Sequence, residues 1–305
     1  MTVAEMAVTA SPGPSAKQSV AGRVLSALRP ATGLLPFAAY TLLFLGVPTL
    51  AIVIGAFSAP TGGATLHNLD IASHGVYRKG FISSLELAVI TAVVPAVLGL
   101  FIAYAVHTAP RGKVLRRMVT TASGVFANFG GVPLAFLFIA TLGTTGAATK
   151  WLDAIGLNPY DHGFSLYTFS GIALVYMYFQ IPLMVLVITP ALEGLRPAWR
   201  EAAHGLGGGS WTYWRLVGLP VLAPSVLGAV LLLFGSGFSA YATAEALTSG
   251  SVSLTPIQIG SFLSGNVLSG QENVGKALGL GMILVIVPVM IVYVLLQRRA
   301  SRWLR

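Results

Sequence analysis

Six long apolar segments separated by short polar stretches dominate the hydrophobic pattern of the chain. A helix needs roughly 20 consecutive apolar residues to cross about 30 Å of hydrocarbon. Segments of this length lie at about residues 35–57, 81–106, 118–142, 168–190, 220–243 and 277–296. The pattern therefore predicts an all-α integral membrane protein with six transmembrane helices.

The composition agrees with a membrane protein and excludes the soluble enzyme classes. Of the 305 residues, 55% are hydrophobic and only 9% are charged, whereas about a quarter of the residues in a soluble chain are charged. The chain has no cysteine, which excludes disulfides and thiolate metal ligands, and its five histidines lack the spacing of a zinc motif. We expect no metal site.

The distribution of basic residues predicts the topology. Fourteen of the 18 basic residues lie before the first segment, after the sixth, or in the loops that follow the second and fourth segments. Because cytoplasmic loops carry an excess of Lys and Arg, both termini are predicted to be cytoplasmic. The net charge of +9 is then explained by topology and contact with anionic lipid, and no nucleic-acid partner is expected.

The first 33 residues are rich in Ser, Pro, Gly and Ala and predict a flexible cytoplasmic tail. The alternative is a secretory signal. The apolar segment that follows is longer than the 7 to 15 residues typical of a signal peptide, which favours an uncleaved first membrane helix. Residues 34–305 are therefore predicted to form one transmembrane domain.

The long loop at 191–219, between the fourth and fifth segments, has an unusual pattern. Pro197 is typical of a helix start, and the glycine-rich run Gly205–Gly209 would stop that helix. Ser210 can cap a second short helix that ends near Val217. We expect helix, glycine turn and helix at the cytoplasmic membrane surface, with Pro220 beginning the fifth transmembrane helix.

This loop resembles the signature of the MetI-like inner-membrane permease subunits of binding-protein-dependent ABC importers. That signature is Glu-Ala-Ala, three residues, Gly, and later Leu-Pro. It matches Glu201, Ala202, Ala203, Gly207, Leu219 and Pro220. The resemblance extends over about residues 34–305 and implies the fold of a type I ABC importer permease, with six helices and both termini inside.

The resemblance also implies a mechanism and partners. The loop at 191–219 would be the coupling loop, which docks into a cytoplasmic ATP-binding subunit. Two such subunits, a second identical or homologous permease and an extracytoplasmic solute-binding protein would complete the transporter. The chain has no GxxxxGK[ST] phosphate loop, so we expect no catalytic residue and no cofactor on it, with ATP and magnesium held by the partner subunits.

The substrate expectation rests on finer similarity. The stretch Glu-Ala-Ala-x-x-Leu-Gly and the segment Gly131–Phe136 look similar to permeases for polyamines, ferric iron and phosphonates. A polyamine such as spermidine or putrescine is the first expectation, and ferric iron, phosphonate or a sugar are the alternatives.

Four polar side chains in or beside the apolar segments are candidates for the translocation pathway: Glu86, Asn128, Gln180 and Glu245. Carboxylates are costly in lipid and should face protein or water. The alternative for the two acids is a position at the headgroups, and for the two amides a hydrogen bond between helices.

Two other classes of protein fit the sequence less well. A secondary transporter working without ATP would carry several ionisable residues deep in its helices, and these are nearly absent here. An intramembrane enzyme would need a catalytic cluster, and no GxSxG or HExxH motif occurs. The predicted function is therefore that of an importer permease in the cell membrane.

Overall fold

The computed structural model describes residues 34–59, 62–109, 112–265 and 271–303. The predicted tail at 1–33 lies outside the described residues. The described part is helical, and its one isolated β-bridge joins Ser58 and Ala64.

The helices are numbered here in chain order. They are α1 Leu35–Thr41, α2 Val47–Ala56, α3 His67–Ala72, α4 Gly75–Thr108, α5 Gly112–Asn128, α6 Gly131–Leu142, α7 Ala147–Ala154, α8 Phe169–Glu193, α9 Pro197–Gly205, α10 Ser210–Tyr213, α11 Leu219–Ser239, α12 Ala242–Thr248, α13 Thr255–Leu263 and α14 Val274–Trp303. Two π-helical turns, Leu42–Gly46 and Trp214–Gly218, join α1 to α2 and α10 to α11, and a short 3₁₀ helix spans Pro159–His162.

Within the described residues, six helical segments are long and apolar enough to cross a membrane, which confirms the predicted number. They are Leu35–Ala56, Gly75–Thr108, Gly131–Ala154, Phe169–Glu193, Ser210–Ser239 and Val274–Arg299. The second, fifth and sixth are longer than the apolar segments suggested, because each helix continues into polar residues beyond the hydrocarbon.

The predicted third segment, 118–142, is wrong as a single helix. The chain breaks after α5, where Gly130 is extended and Gly131 has a φ of +74° in the left-handed region, which favours glycine. The α5 helix is amphipathic, and the apolar span begins only at Gly131. The predicted fifth segment also differs, since its helix ends at Ser239 and not at residue 243.

The chain divides into two units, Met1–Ala51 and Ile52–Arg305. In the first unit, the π turn Leu42–Gly46 precedes Pro48. Proline has no N–H, and its ring crowds the carbonyl four residues earlier, which here is that of Phe44. A π turn gives this carbonyl more room.

In the second unit, α8 lies at the centre and packs against α4, α5 and α11. Its two halves belong to different apolar clusters. Tyr176 and Phe179 pack with residues of α6, α12 and α13, whereas Met184 and Ile188 pack with residues of α4 and α11 nearer the loop at 191–219. The α4–α8 contact is close, since a Cβ on Gly99 would lie 2.6 Å from the Met184 Cβ.

We predict that Gly99→Ala destabilises the protein by about 1–3 kcal/mol, because an added methyl group forces α4 and α8 apart. Gly124→Ala is the matched control, since nothing lies within 4 Å of a Cβ at that position on α5. The measurement is thermal unfolding in detergent. Equal melting temperatures for the two variants would contradict the close packing of α4 and α8.

Candidate functional site: the loop between the fourth and fifth spans

The helix α9 is set by its two ends. Arg196 is extended and Pro197 occupies the first turn, where a missing N–H costs nothing. At the other end, Gly207 has a φ of +81°. The Gly207 N–H donates to the His204 carbonyl at 3.0 Å, and the Gly208 N–H donates to the Ala203 carbonyl at 2.9 Å. These bonds close the helix and turn the chain toward the fifth span.

The surface of this loop is both apolar and charged. Leu206 is 91% exposed and Trp211 is 73% exposed, while Glu201 and Ala202 are also exposed. Between α9 and the start of the fifth span lies an apolar groove of about 600 Å³. Its walls include Trp199, Ala202, Ala203, Leu206, Tyr213 and Pro220. The described loop therefore offers a concave apolar surface beside an exposed carboxylate.

The predicted second short helix is wrong as a separate element. The helix that begins at Ser210 continues to Ser239 through the π turn Trp214–Gly218. Pro220 therefore lies inside a long helix and does not begin it. The π turn contains Leu216, whose carbonyl the ring of Pro220 would otherwise crowd.

The structure brings most of the predicted coupling residues together. Ala202, Ala203 and Pro220 line the same groove, and Gly207 forms the turn beside it. Leu219 instead faces a second apolar groove of about 470 Å³, together with Tyr104 and Trp214.

The ion pair near the loop does not involve the acid of the Glu-Ala-Ala signature. Glu201 makes no ion pair within the described residues, and the guanidinium of Arg196 lies 5.9 Å from the ring centroid of Trp199. Glu193, at the end of α8, pairs with Arg116 of α5 at 3.0 Å. Sequence reasoning missed this pair, because the two residues belong to different elements and no local motif joins them.

The four pathway candidates lie on four different helices. Glu86 of α4 and Asn128 of α5 are exposed, and the Asn128 amide donates to the Gly124 carbonyl at 2.8 Å. Gln180 of α8 is fully buried. Glu245 of α12 has one buried carboxylate oxygen, Oε2, without a hydrogen-bond partner in the described part of the chain. Their role in a pathway stays a prediction.

A polar cavity of about 880 Å³ at the opposite end of the second unit was not foreseen. It lies between the start of α4 and the helix α13, and Asp70, His74, Tyr77, Gln258 and Gln271 contribute to its wall. Gln258 joins the two helices, because its amide nitrogen donates to the Val76 carbonyl at 2.9 Å and to Ser253 Oγ at 2.8 Å.

Comparison with known proteins gives the family. A family model described as "Binding-protein-dependent transport system inner membrane component" matches residues 96–305, and the chain belongs to this family. It is a multi-pass transport component of the inner membrane and not an enzyme, as the sequence predicted. Membership favours an importer permease over a carrier that works without ATP.

The chain is also similar to curated transport proteins. It is 28% identical over 149 residues to the sulfate transport system permease protein CysT of Escherichia coli (strain K12), covering 48% of this chain and 50% of that one. A probable sulfate permease of Helicosporidium sp. is 23% identical over 216 residues, covering 70% and 75%. The thiamine permease ThiP of Escherichia coli is 29% identical over 115 residues, covering 38% and 21%. The chain thus spans half of the first relative's length.

A solved structure supports the fold. The chain matches a bacterial ABC transporter involved in import of the acidic polysaccharide alginate with a TM-score of 0.67 and 17% identity, covering 92% of this chain and 99% of that one. The relatives named above transport sulfate and thiamine. The expectation of a polyamine substrate is therefore not supported.

We predict that Gly207→Ala weakens the loop, because a left-handed conformation costs about 1–2 kcal/mol for a residue with a Cβ. Gly205→Ala is the control: this residue ends α9 without a positive φ, and a Cβ there meets nothing within 4 Å. The measurement is the thermal unfolding of each purified variant in detergent. A lower melting temperature for Gly205→Ala than for Gly207→Ala would contradict the assigned turn.

Proposed function

We propose that this chain is the permease subunit of an ATP-driven importer for a small oxyanion of the sulfate type. The observation that carries the proposal is the exposed loop at 191–219, in which α9, the Gly207 turn and the apolar groove form one docking surface. In an ATP-driven transporter, a chain without a phosphate loop takes its energy from a partner that binds ATP, and this surface is where such a partner would bind.

The docking surface suits an ATP-binding subunit. Exposed apolar side chains such as Leu206 and Trp211 can fill a pocket on the partner, and the groove beside them can accept a partner side chain. Ala202 has a small side chain on the exposed face of α9, which lets a partner subunit approach the helix backbone closely. Glu201, exposed and unpaired among the described residues, can make a charge-assisted hydrogen bond with the partner.

The orientation follows from the charges. Arg196, Arg200 and Arg215 belong to the loop that carries the docking surface, and basic residues concentrate on the cytoplasmic side. This end of the molecule therefore faces the cytoplasm in the proposal, together with both termini. The polar cavity near Gln258 then faces outward, where a solute-binding protein would deliver the substrate.

Two of the pathway candidates lie on exposed faces. Glu86 occupies a helix that crosses the membrane, yet its side chain is exposed in the isolated subunit. Because a carboxylate is costly in lipid, this face of α4 meets either a second permease subunit or a water-filled pathway. Asn128, at the break between α5 and α6, is exposed as well, and we assign it to the same kind of surface.

The substrate class rests on the relatives. Sulfate permeases of Escherichia coli and Helicosporidium sp. are similar to 48% and 70% of the chain, and this similarity favours a tetrahedral oxyanion. Thiamine is the second candidate, because the thiamine permease of Escherichia coli also matches.

The substrate is tested with the complete transporter in proteoliposomes that contain ATP. We expect labelled sulfate to accumulate when its solute-binding protein is added and to stay outside when ATP is omitted. Accumulation of thiamine without sulfate would select the second candidate. Uptake of either solute at the same rate without ATP would refute the importer.

For the docking role, we predict that Glu201→Gln lowers ATP-dependent uptake roughly ten- to a hundredfold, since a charge-assisted contact contributes roughly 1.5–3 kcal/mol. The melting temperature should not change, because Glu201 is exposed. Asp161→Asn, an exposed carboxylate in the 3₁₀ turn, is the control and should transport normally. A normal rate for Glu201→Gln would exclude this contact.

A further inference from the structure

Gln180 is a polar side chain in an apolar interior. It is the twelfth of the 25 residues of α8 and is fully buried. Its neighbours along the helix belong to the two apolar clusters, Phe179 to one and Met184 to the other. Neither its amide nitrogen nor its amide oxygen has a hydrogen-bond partner among the described residues. A buried amide without partners is costly, and a core that needed only packing would hold an apolar residue here.

Three membrane helices meet at this side chain. A Cβ built on Gly237 of α11 would lie 2.9 Å from Gln180 Nε2 and 2.7 Å from Thr91 Oγ1 of α4. Gly237 therefore leaves the space in which the two polar side chains lie. The Thr91 hydroxyl donates to the Leu87 carbonyl at 2.7 Å, so its lone pairs remain able to accept a hydrogen bond.

Each of the two helices that carry these side chains contains a proline close to the side chain in question. Pro95 cannot donate to the carbonyl of Thr91, and Pro182 cannot donate to the carbonyl of Tyr178, four residues earlier in each case. A helix that has lost a backbone hydrogen bond bends more easily at that point. Small movements of α4 and α8 about these prolines change the distance between Thr91 and Gln180.

We propose that Gln180 is a positioning residue for transport, whose amide nitrogen donates to Thr91 Oγ1 in one transport state and is released in the state described here. The inference rests on the proposed function, because it needs two states that ATP interconverts. The bond stabilises the state in which it forms relative to the state described here. Gly237 has no side chain, so α11 leaves room for the bond.

The test uses the complete transporter and variants that keep the shape of each side chain. Gln180→Met and Thr91→Val each remove one partner of the bond, so each should lower ATP-dependent uptake about tenfold, within the range of typical coupling between states. The double variant should be no slower than either single variant, since both lose the same bond. Thr91→Ser keeps the hydroxyl and should transport normally.

A second measurement separates positioning from simple packing. The chain has no cysteine, so one cysteine introduced by Ser251→Cys, in the wall of the cavity near Gln258, reports the state through its rate of thiol labelling. We expect ATP with vanadate to change this rate in the otherwise unaltered transporter and to change it far less in Gln180→Met. Met184→Leu, a buried apolar exchange on the same helix, should behave as the unaltered transporter.

The outcomes are distinct. Normal uptake by Gln180→Met or Thr91→Val, or additive losses in the double variant, would overturn the inference. Equal losses for Gln180→Met and Met184→Leu, with lowered melting temperatures, would also overturn it and assign Gln180 to packing. If the unaltered transporter shows neither ATP-dependent uptake nor a change in labelling, the proposed function itself is wrong, and the inference fails with it.

Discussion

Inside a membrane, every backbone N–H and C=O must find its partner within the protein, and the interruptions of the helices are built around this constraint. The fifth span ends at Ser239, and the Ala240 carbonyl accepts a hydrogen bond from the buried Tyr176 hydroxyl at 2.8 Å. At the break before α6, the Gly131 N–H donates to Thr243 Oγ1 at 2.9 Å. Side chains from other helices thus form hydrogen bonds with backbone groups that lack a helical partner at these two breaks. The positions of the breaks therefore determine where Tyr176 and Thr243 must lie.

The same constraint explains which parts of the fold could be predicted. Hydrophobic length reports only whether a segment can cross the membrane, so the number of spans was correct. The breaks near Gly130 and Ala240 were missed because the surrounding residues are apolar and the groups that satisfy them, Thr243 and Tyr176, are distant in the chain. The position of Pro220 was mispredicted because a π turn lets this proline lie inside a helix, whereas Pro197 begins a helix as expected.

The candidate site also has features that could be predicted from the sequence and features that could not. The Glu201–Pro220 signature could be recognised because it is a spacing within one loop. The pair of Arg116 with Glu193 and the meeting of Gln180 with Gly237 depend on how whole helices pack, and local sequence carries no mark of them. The substrate expectation had the weakest basis: it relied on a few residues near the loop, and the sulfate and thiamine relatives do not support it.

The continuity of the helix from Ser210 to Ser239 has a mechanical consequence. Its first turns border the docking groove, and Gly237 near its other end lies beside Gln180 and Thr91. One continuous helix therefore connects the proposed docking surface with the interior of the subunit. A helix of this length is about 45 Å long, and a tilt of roughly 5° at one end would displace the other by about 4 Å. The π turn at Trp214–Gly218 lies near the end that borders the groove, and a helix bends more readily at such a turn than along a regular α-helical stretch.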